Sequence, residues 1–133
     1  MFSDLATIRT DVKDRLTAIL PSTWRCEATL EGTIKALVPV LYIEFVRIDT
    51  VVQGQPLPQG QVGTSFNVII TDPQTDAEKA EDAVDAHVLK VLGSLDKFAD
   101  IYWENAEKKR LQDGPMAWTI SVLALASTIT EGD

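Results

Sequence analysis

Few residues in this 133-residue sequence could carry out chemistry, and they are scattered. His87 is the single histidine and Cys26 the single cysteine, so no second histidine completes a zinc site and no pair of thiols exists. No glycine-rich phosphate loop or G-x-S-x-G nucleophile turn occurs. Because His87 adjoins the apolar positions of a predicted helix, we interpret it as a histidine at the boundary of the core.

Two carboxylates, Glu44 and Glu104, lie within predicted strands. Glycoside hydrolases need only two carboxyl groups, so this pair is the strongest candidate for catalysis. A lone acid on a sheet, however, more often faces solvent or pairs with a cation such as Arg47 or Lys35. We therefore predict no enzyme activity, no catalytic residue, no metal and no cofactor. A cytoplasmic ligand-binding domain or enzyme using Glu44 or His87 remains the less favoured alternative.

The charge balance argues against a protein that binds nucleic acid through its phosphates. Twelve basic residues stand against twenty acidic ones, which gives a formal net charge of −8. Affinity for phosphates comes from Lys and Arg displacing counterions, and the only compact basic run is Lys108-Lys109-Arg110. With 45% hydrophobic residues, the chain has the composition of one globular domain spanning residues 1–133. No stretch of about 18 apolar residues is present to span a membrane.

In the first half of the chain, apolar residues at helical spacing predict an amphipathic helix over Ser3–Leu20, capped by Ser3 and stopped by Pro21. A short strand is predicted over Trp24–Leu30, with a turn at residues 31–33. A long strand follows over Lys35–Thr50, rich in Val, Ile, Tyr and Phe and apolar on both alternating faces.

The next stretch, Val51–Gly63, is rich in Gln, Pro and Gly and has little to bury. It predicts a protruding loop that is mobile in the free subunit and ordered by a partner. The residues predicted to dock a partner are Gln53, Gln55, Pro56, Leu57, Pro58 and Gln59.

The second half of the chain adds a strand over Val62–Asp72 and a helix that starts at a Thr75–Glu78 capping box and runs to Leu95. Two further strands are predicted over Ala99–Ala106 and Met116–Thr130. These elements predict an α+β fold: a mainly antiparallel sheet of about five strands with two helices packed on one face, in the order α-β-β-β-α-β-β.

Two helices can cover only one face of such a sheet, yet apolar residues also alternate onto the second face. Large exposed apolar patches usually mark protein contacts, so we predict a subunit interface there. The alternative is that the sheet curls or the long loop folds back to cover this face. The predicted interface consists of Val38, Val40, Tyr42, Val46, Leu123 and Leu125.

The whole layout resembles the tail terminator, or tail-completion, proteins of long-tailed bacteriophages. The resemblance covers nearly the whole chain as an ordering of elements: the helix around Asp4–Val12, the strand around Lys35–Glu44, the long loop, the helix with an acidic start, and the closing pair of long strands.

The resemblance implies a structural virion protein that forms a ring, a hexamer, on the last ring of the tail tube. Such a ring ends tube growth and joins the tail to the head connector. The implied partners are copies of itself, the major tail tube protein and the head-tail connector or stopper protein. DNA would pass through the ring without specific binding. The implied location is the tail-neck region of the virion, after assembly in the host cytoplasm. Another neck component, a head-tail stopper or connector subunit, is the alternative within this class.

Overall fold

The computed structural model describes residues 1–27, 39–72, 79, 82, 84–110 and 116–128. The predicted α+β class and the order α-β-β-β-α-β-β are confirmed, with a small hairpin added after the long strand. The elements are α1 (Leu5–Ile19), β1 (Arg25–Glu27), β2 (Val40–Asp49), β3 (Val51–Val52), β4 (Gln55–Pro56), β5 (Gln61–Thr71), α2 (Val88–Leu95), β6 (Ile101–Arg110) and β7 (Met116–Ser127).

The cap of helix α1 lies one residue later than predicted. Asp4, not Ser3, accepts a hydrogen bond at Oδ1 from the backbone N–H of Thr7, at 2.7 Å. This backbone donor lowers the pKa of Asp4, because it favours the ionised carboxylate. The buried stripe of α1 is Ile8, Val12 and Leu16, at the i, i+4 and i+8 spacing that places all three on one helix face.

The sheet has the strand order β1-β2-β5-β7-β6, and every neighbouring pair is antiparallel except β1–β2. A turn at residues 31–33 would suit an antiparallel pairing of the first two strands, but these strands are parallel. Arg25 pairs with Val40 in parallel register, and the Arg25 N–H donates to the Pro39 carbonyl at 2.9 Å. A parallel pair needs a long crossover rather than a tight turn. The predicted turn at residues 31–33 lies outside the described residues.

We call the side of the sheet that contacts α1 and α2 the helix face, and the other side the opposite face. The main core fills the space between the helices and the helix face. This core draws on both helices and the four long strands, and its members include Ile8, Leu16, Leu41, Phe66, Ile70, Val91, Leu95, Ile101 and Ile120. Alternate residues of the same strands point to the opposite face.

Helix α2 is shorter than predicted as a continuous element. It spans Val88–Leu95, and a turn at residues 86–87 separates it from helical residues 84 and 85. The predicted capping box at Thr75 and Glu78 lies outside the described residues. Strand β6 runs to Arg110, four residues beyond its predicted end. Within the described residues, no helix is long and apolar enough to cross a membrane.

Candidate functional site

His87 lies at the boundary of the core, as predicted. Its ring meets the ring of Trp24 edge-on, with centroids 5.3 Å apart and planes inclined by 61°. Trp24 is buried and belongs to the main core, whereas His87 is half-buried. The contact joins the segment before β1 to the turn that precedes α2. The structure therefore gives His87 a packing contact between two distant parts of the chain.

The two carboxylates considered for catalysis do not converge on one site. Glu44 is on β2 and Glu104 is on β6, with β5 and β7 between them. Three interstrand steps of about 4.8 Å separate their backbones by about 14 Å. The paired carboxyl groups of glycoside hydrolases stand about 5–9.5 Å apart. Both side chains are exposed, so the backbone geometry and the solvation do not favour a shared catalytic centre.

Two β-bulges lie on one rung of the sheet. Phe45, Phe66, Val122 and Trp103 follow one another across β2, β5, β7 and β6, and the register shifts directly after Phe45 and directly after Trp103. The extra residues are Val46 on β2 and Glu104 on β6. A bulge bends its strand and changes the direction of the side chains near it. This sheet has one bulge in β2 and one in β6, both next to the same rung.

A depression of about 110 Å³ lies on the opposite face between the two bulges. Small polar residues form its floor, with the bulged residues at its sides. Arg47, which also lines it, makes an ion pair with Asp49 at 2.8 Å. Its lining residues are Val46, Arg47, Ser65, Phe66, Asn67, Glu104, Ser121 and Val122. The depression therefore combines polar and apolar side chains in the middle of a face that the sequence predicted to be apolar.

The residues of the predicted interface on this face differ in how far they are buried. Val40 and Tyr42 are 0% and 2% exposed, and they form a second buried cluster with Ile69 and Ala117. Burial, together with the charge of Glu44, raises the pKa of the Tyr42 hydroxyl to about 12.

The prediction that these side chains stand exposed is therefore wrong for Val40 and Tyr42, and also for Leu123, which is 9% exposed. Val46 is exposed and Leu125 half-buried, whereas Val38 lies outside the described residues. Membership of an interface stays a prediction for Val46 and Leu125.

The predicted loop folds into a short hairpin. Strands β3 and β4 pair through Val51–Pro56 and Val52–Gln55, and the turn between them holds Gln53 and Gly54 at φ values of 51° and 77°. Two consecutive positive φ values define the type I′ turn that suits a two-residue hairpin. The Leu57 N–H donates to the Thr50 carbonyl at 2.8 Å, which closes the base of the hairpin.

All six predicted docking residues therefore lie in or beside the hairpin. Gln53, Gln55, Pro56, Pro58 and Gln59 are exposed and Leu57 is half-buried. Their predicted docking role and the predicted mobility of the segment stay predictions.

The hairpin covers one end of the opposite face, which supports the alternative that the loop folds back. A Cβ atom on Gly63 would lie 2.6 Å from Cγ2 of Val52 and 3.0 Å from Cδ1 of Leu123. Val52 therefore occupies the space that a side chain at position 63 would need. The Leu123 side chain borders the same space.

We expect Gly63→Ala to destabilise the subunit by about 1–2 kcal/mol, because overpacking forces neighbours to shift. The Val52→Ala variant should remove the clash, so the double variant should lose less stability than the two single variants together. Urea denaturation of the four proteins measures this coupling. Additive losses in the double variant would show that Val52 does not pack over Gly63.

Two tryptophan–aspartate hydrogen bonds fasten the α2 region to the sheet, and sequence reasoning missed both. The indole N–H of Trp118 donates to Oδ1 of Asp85 at 2.7 Å, and Lys108 Nζ lies 3.1 Å from Oδ2 of the same carboxylate. The indole of Trp103 donates to Asp96 at 2.8 Å. A half-buried tryptophan needs an acceptor, which is the one available signal, but the sequence does not say which acid supplies it.

Apolar side chains remain exposed near both edges of the sheet. Val46 and Ile48 on β2 are each 55% exposed, and Tyr102 on β6 is 52% exposed. Leu89 on α2, which lies along β6, is 77% exposed. The sequence did not predict these four positions as a group, because they belong to three elements whose arrangement only the fold defines.

Within the described residues, no three side chains of His, Cys, Asp or Glu form a group that could hold a metal ion. The sequence matches no protein-family model and shows no significant similarity to a curated protein.

Proposed function

We propose that this chain is a structural protein of a long-tailed bacteriophage that assembles into a ring, caps the tail tube, ends tube growth and joins the tail to the head connector. The observation that carries the proposal is the order of elements, α-β-β-β-α-β-β, over a mainly antiparallel five-stranded sheet. This is the order on which the resemblance to tail terminators rests.

The surfaces of the subunit support a role in assembly. Exposed apolar side chains stand near both edges of the sheet, at Val46 and Ile48 on one side and at Leu89 and Tyr102 on the other. Unlike surfaces on one subunit produce head-to-tail contacts, and these close into a ring when the rotation permits. A net charge of −8 suits a ring through which DNA passes without being held by its phosphates.

Deleting this gene from the phage genome that encodes it tests the proposal. Electron microscopy of lysates should show tubes of abnormal length and DNA-filled heads without tails, and supplying the wild-type protein from a plasmid should restore complete particles. A head-tail stopper would give a different result, namely tails of normal length that fail to attach. Complete, head-joined tails of normal length in the deletion would refute both roles.

A further inference from the structure

Four of the exposed apolar residues lie as two pairs, one near each edge of the sheet; the other exposed ones in the described part of the chain are Met1, Leu5, Ile19 and Val51. Near the β2 edge, Val46 lines the depression on the opposite face, whereas Ile48 pairs with Thr64 and so shares the helix-face side with Phe66. Near the β6 edge, Tyr102 pairs with Leu123 and so lies on the opposite face. Each edge therefore has apolar surface on the opposite face, and the β2 edge also has apolar surface on the helix side.

Leu89 is exposed on the helix side of the sheet, on the helix that lies along β6. Helix α2 and the residues next to it lie along β6, since Asp96 binds Trp103 and the preceding Asp85 binds Lys108. Leu89 falls between Asp85 and Asp96 in the chain and is largely exposed. Tyr102 thus lies on the opposite face at the β6 edge, and Leu89 is exposed on the helix that lies along β6. At the β2 edge, Ile48 lies on the helix side and Val46 on the opposite face.

The exposed residues of the two edges lie at the same level along the strands, and the two edge strands run in opposite directions. Arg47, Ser65, Leu123 and Tyr102 lie on one rung across β2, β5, β7 and β6, so Tyr102 stands level with the residue next to Val46. The alternation of antiparallel pairs makes β6 antiparallel to β2. Among the described residues, no strand pairs with the outer side of β2 beyond Tyr42 or with the outer side of β6.

Charge favours contact between unlike edges. Arg47 extends beside Val46 with its side chain 70% exposed, next to its partner Asp49, and Glu44 is further along the same strand. Glu104 is exposed at the bulge beside Tyr102. Two β2 edges would bring two copies of Arg47 together, and two β6 edges would bring two copies of Glu104 together. A β2 edge against a β6 edge instead places Arg47 near Glu104 of the other copy.

We propose that the occupant of each edge is a second copy of this chain: Val46 and Ile48 of one copy contact Tyr102 and Leu89 of the next. The contact joins unlike surfaces, so it repeats head to tail and closes into a ring. This inference rests on the proposed ring and assigns its interface to the sheet edges in place of the opposite face.

Disulfide cross-linking tests the contact in purified protein. The background variant is Cys26→Ala, which removes the single native cysteine. Adding Val46→Cys and Tyr102→Cys together should give, on mild oxidation, a ladder of linked species that extends beyond dimers. The matched control carries Thr10→Cys and Ala18→Cys, two exposed positions on α1 outside the proposed contact, and should remain unlinked.

The single-cysteine variants decide whether the edges meet as unlike surfaces. Val46→Cys alone and Tyr102→Cys alone should form no disulfide-linked dimer, but a mixture of the two should form a dimer and nothing larger. Efficient dimers from either variant alone would overturn the head-to-tail contact, as would a double variant that links no better than the α1 control.

The proposed interface and the proposed function can be refuted independently of each other. Over-long tubes in the gene deletion without a cross-linked ladder would refute the interface and leave the proposed function standing. A ladder with normal tails in the deletion would refute the function and leave the interface standing.

Discussion

Replacing Val40 with aspartate should unfold the subunit instead of only blocking its assembly. Val40 is fully buried on the opposite face, against Tyr42, Ile69 and Ala117. A carboxylate at this position would be a buried charge without an oppositely charged partner. Such a charge lowers the stability of the folded state by about 3–5 kcal/mol. The total stability of a domain is only about 5–15 kcal/mol. Urea denaturation followed by circular dichroism should show a large loss of stability or an unfolded protein.

The matched control is Val46→Asp, six residues further along the same strand. Val46 is 55% exposed, so an aspartate there keeps its water and should change the free energy of unfolding by less than about 1 kcal/mol. The same charge should therefore unfold the subunit at position 40 and leave it folded at position 46. A folded Val40→Asp protein with wild-type stability would contradict the burial of this face.

The opposite face shows where the sequence pattern stops being informative. Strict alternation correctly placed Val40, Tyr42 and Leu123 away from the helices. Alternation says which side of a sheet a residue points to, but it does not say what covers that side. The hairpin residue Val52 lies over Gly63 beside Leu123, a contact between two segments that no periodicity connects. The burial of Leu123 at this end of the face was consequently predicted wrongly although the direction of its side chain was right.

The pairing of the first two strands could not be predicted from the sequence either. A short strand, a Gly-containing turn and a long strand are typical of a hairpin, which is the local solution. The chain instead pairs Arg25–Glu27 in parallel with Val40–Tyr42. Residues at 28–39 separate the two strands, a length that permits either arrangement. Parallel pairing depends on long-range contacts that local residue types do not encode.

The bulges at Val46 and Glu104 have no sequence marker either. Neither position holds a glycine, the usual local sign of a bulge, and both lie within otherwise regular strand patterns. Only the pairing register reveals that one residue is added on each side of the same rung. The candidate depression and the proposed edges both depend on these two residues, so the candidate site was less predictable than the fold.

Replacing Trp118 with alanine should cost about 3–5 kcal/mol, the range for removing a large aromatic side chain from a core. The indole packs against the main core and donates its N–H to Asp85 at 2.7 Å. Trp118→Phe keeps most of the packing and removes the donor, so it should cost about 1–2 kcal/mol. Urea denaturation at pH 7 separates the two contributions. Equal losses for the two variants would show that the hydrogen bond, not the packing, dominates.

The carboxylate that receives this bond should make stability depend on pH in a predictable direction. Burial alone would raise the pKa of Asp85, but the hydrogen bonds from Trp118 and Lys108 and the charge of Lys108 together lower it from the ordinary value of 3.8. A carboxyl group with a lowered pKa in the folded state binds protons more tightly in the unfolded chain. Its contribution is therefore present above pH 3.8 and is lost as the pH falls through the lower pKa of the folded state.

Asp85→Asn isolates this contribution. The amide oxygen can still accept a hydrogen bond from Trp118, but it has no charge to pair with Lys108. Because the carboxylate is partly exposed, we expect a loss of only about 1 kcal/mol at pH 7. The difference between wild type and variant should shrink as the pH is lowered below 3.8, since protonation then neutralises the wild-type carboxyl group. A difference that stays constant between pH 7 and pH 3 would show that the charge of Asp85 does not stabilise the contact between the α2 region and the sheet.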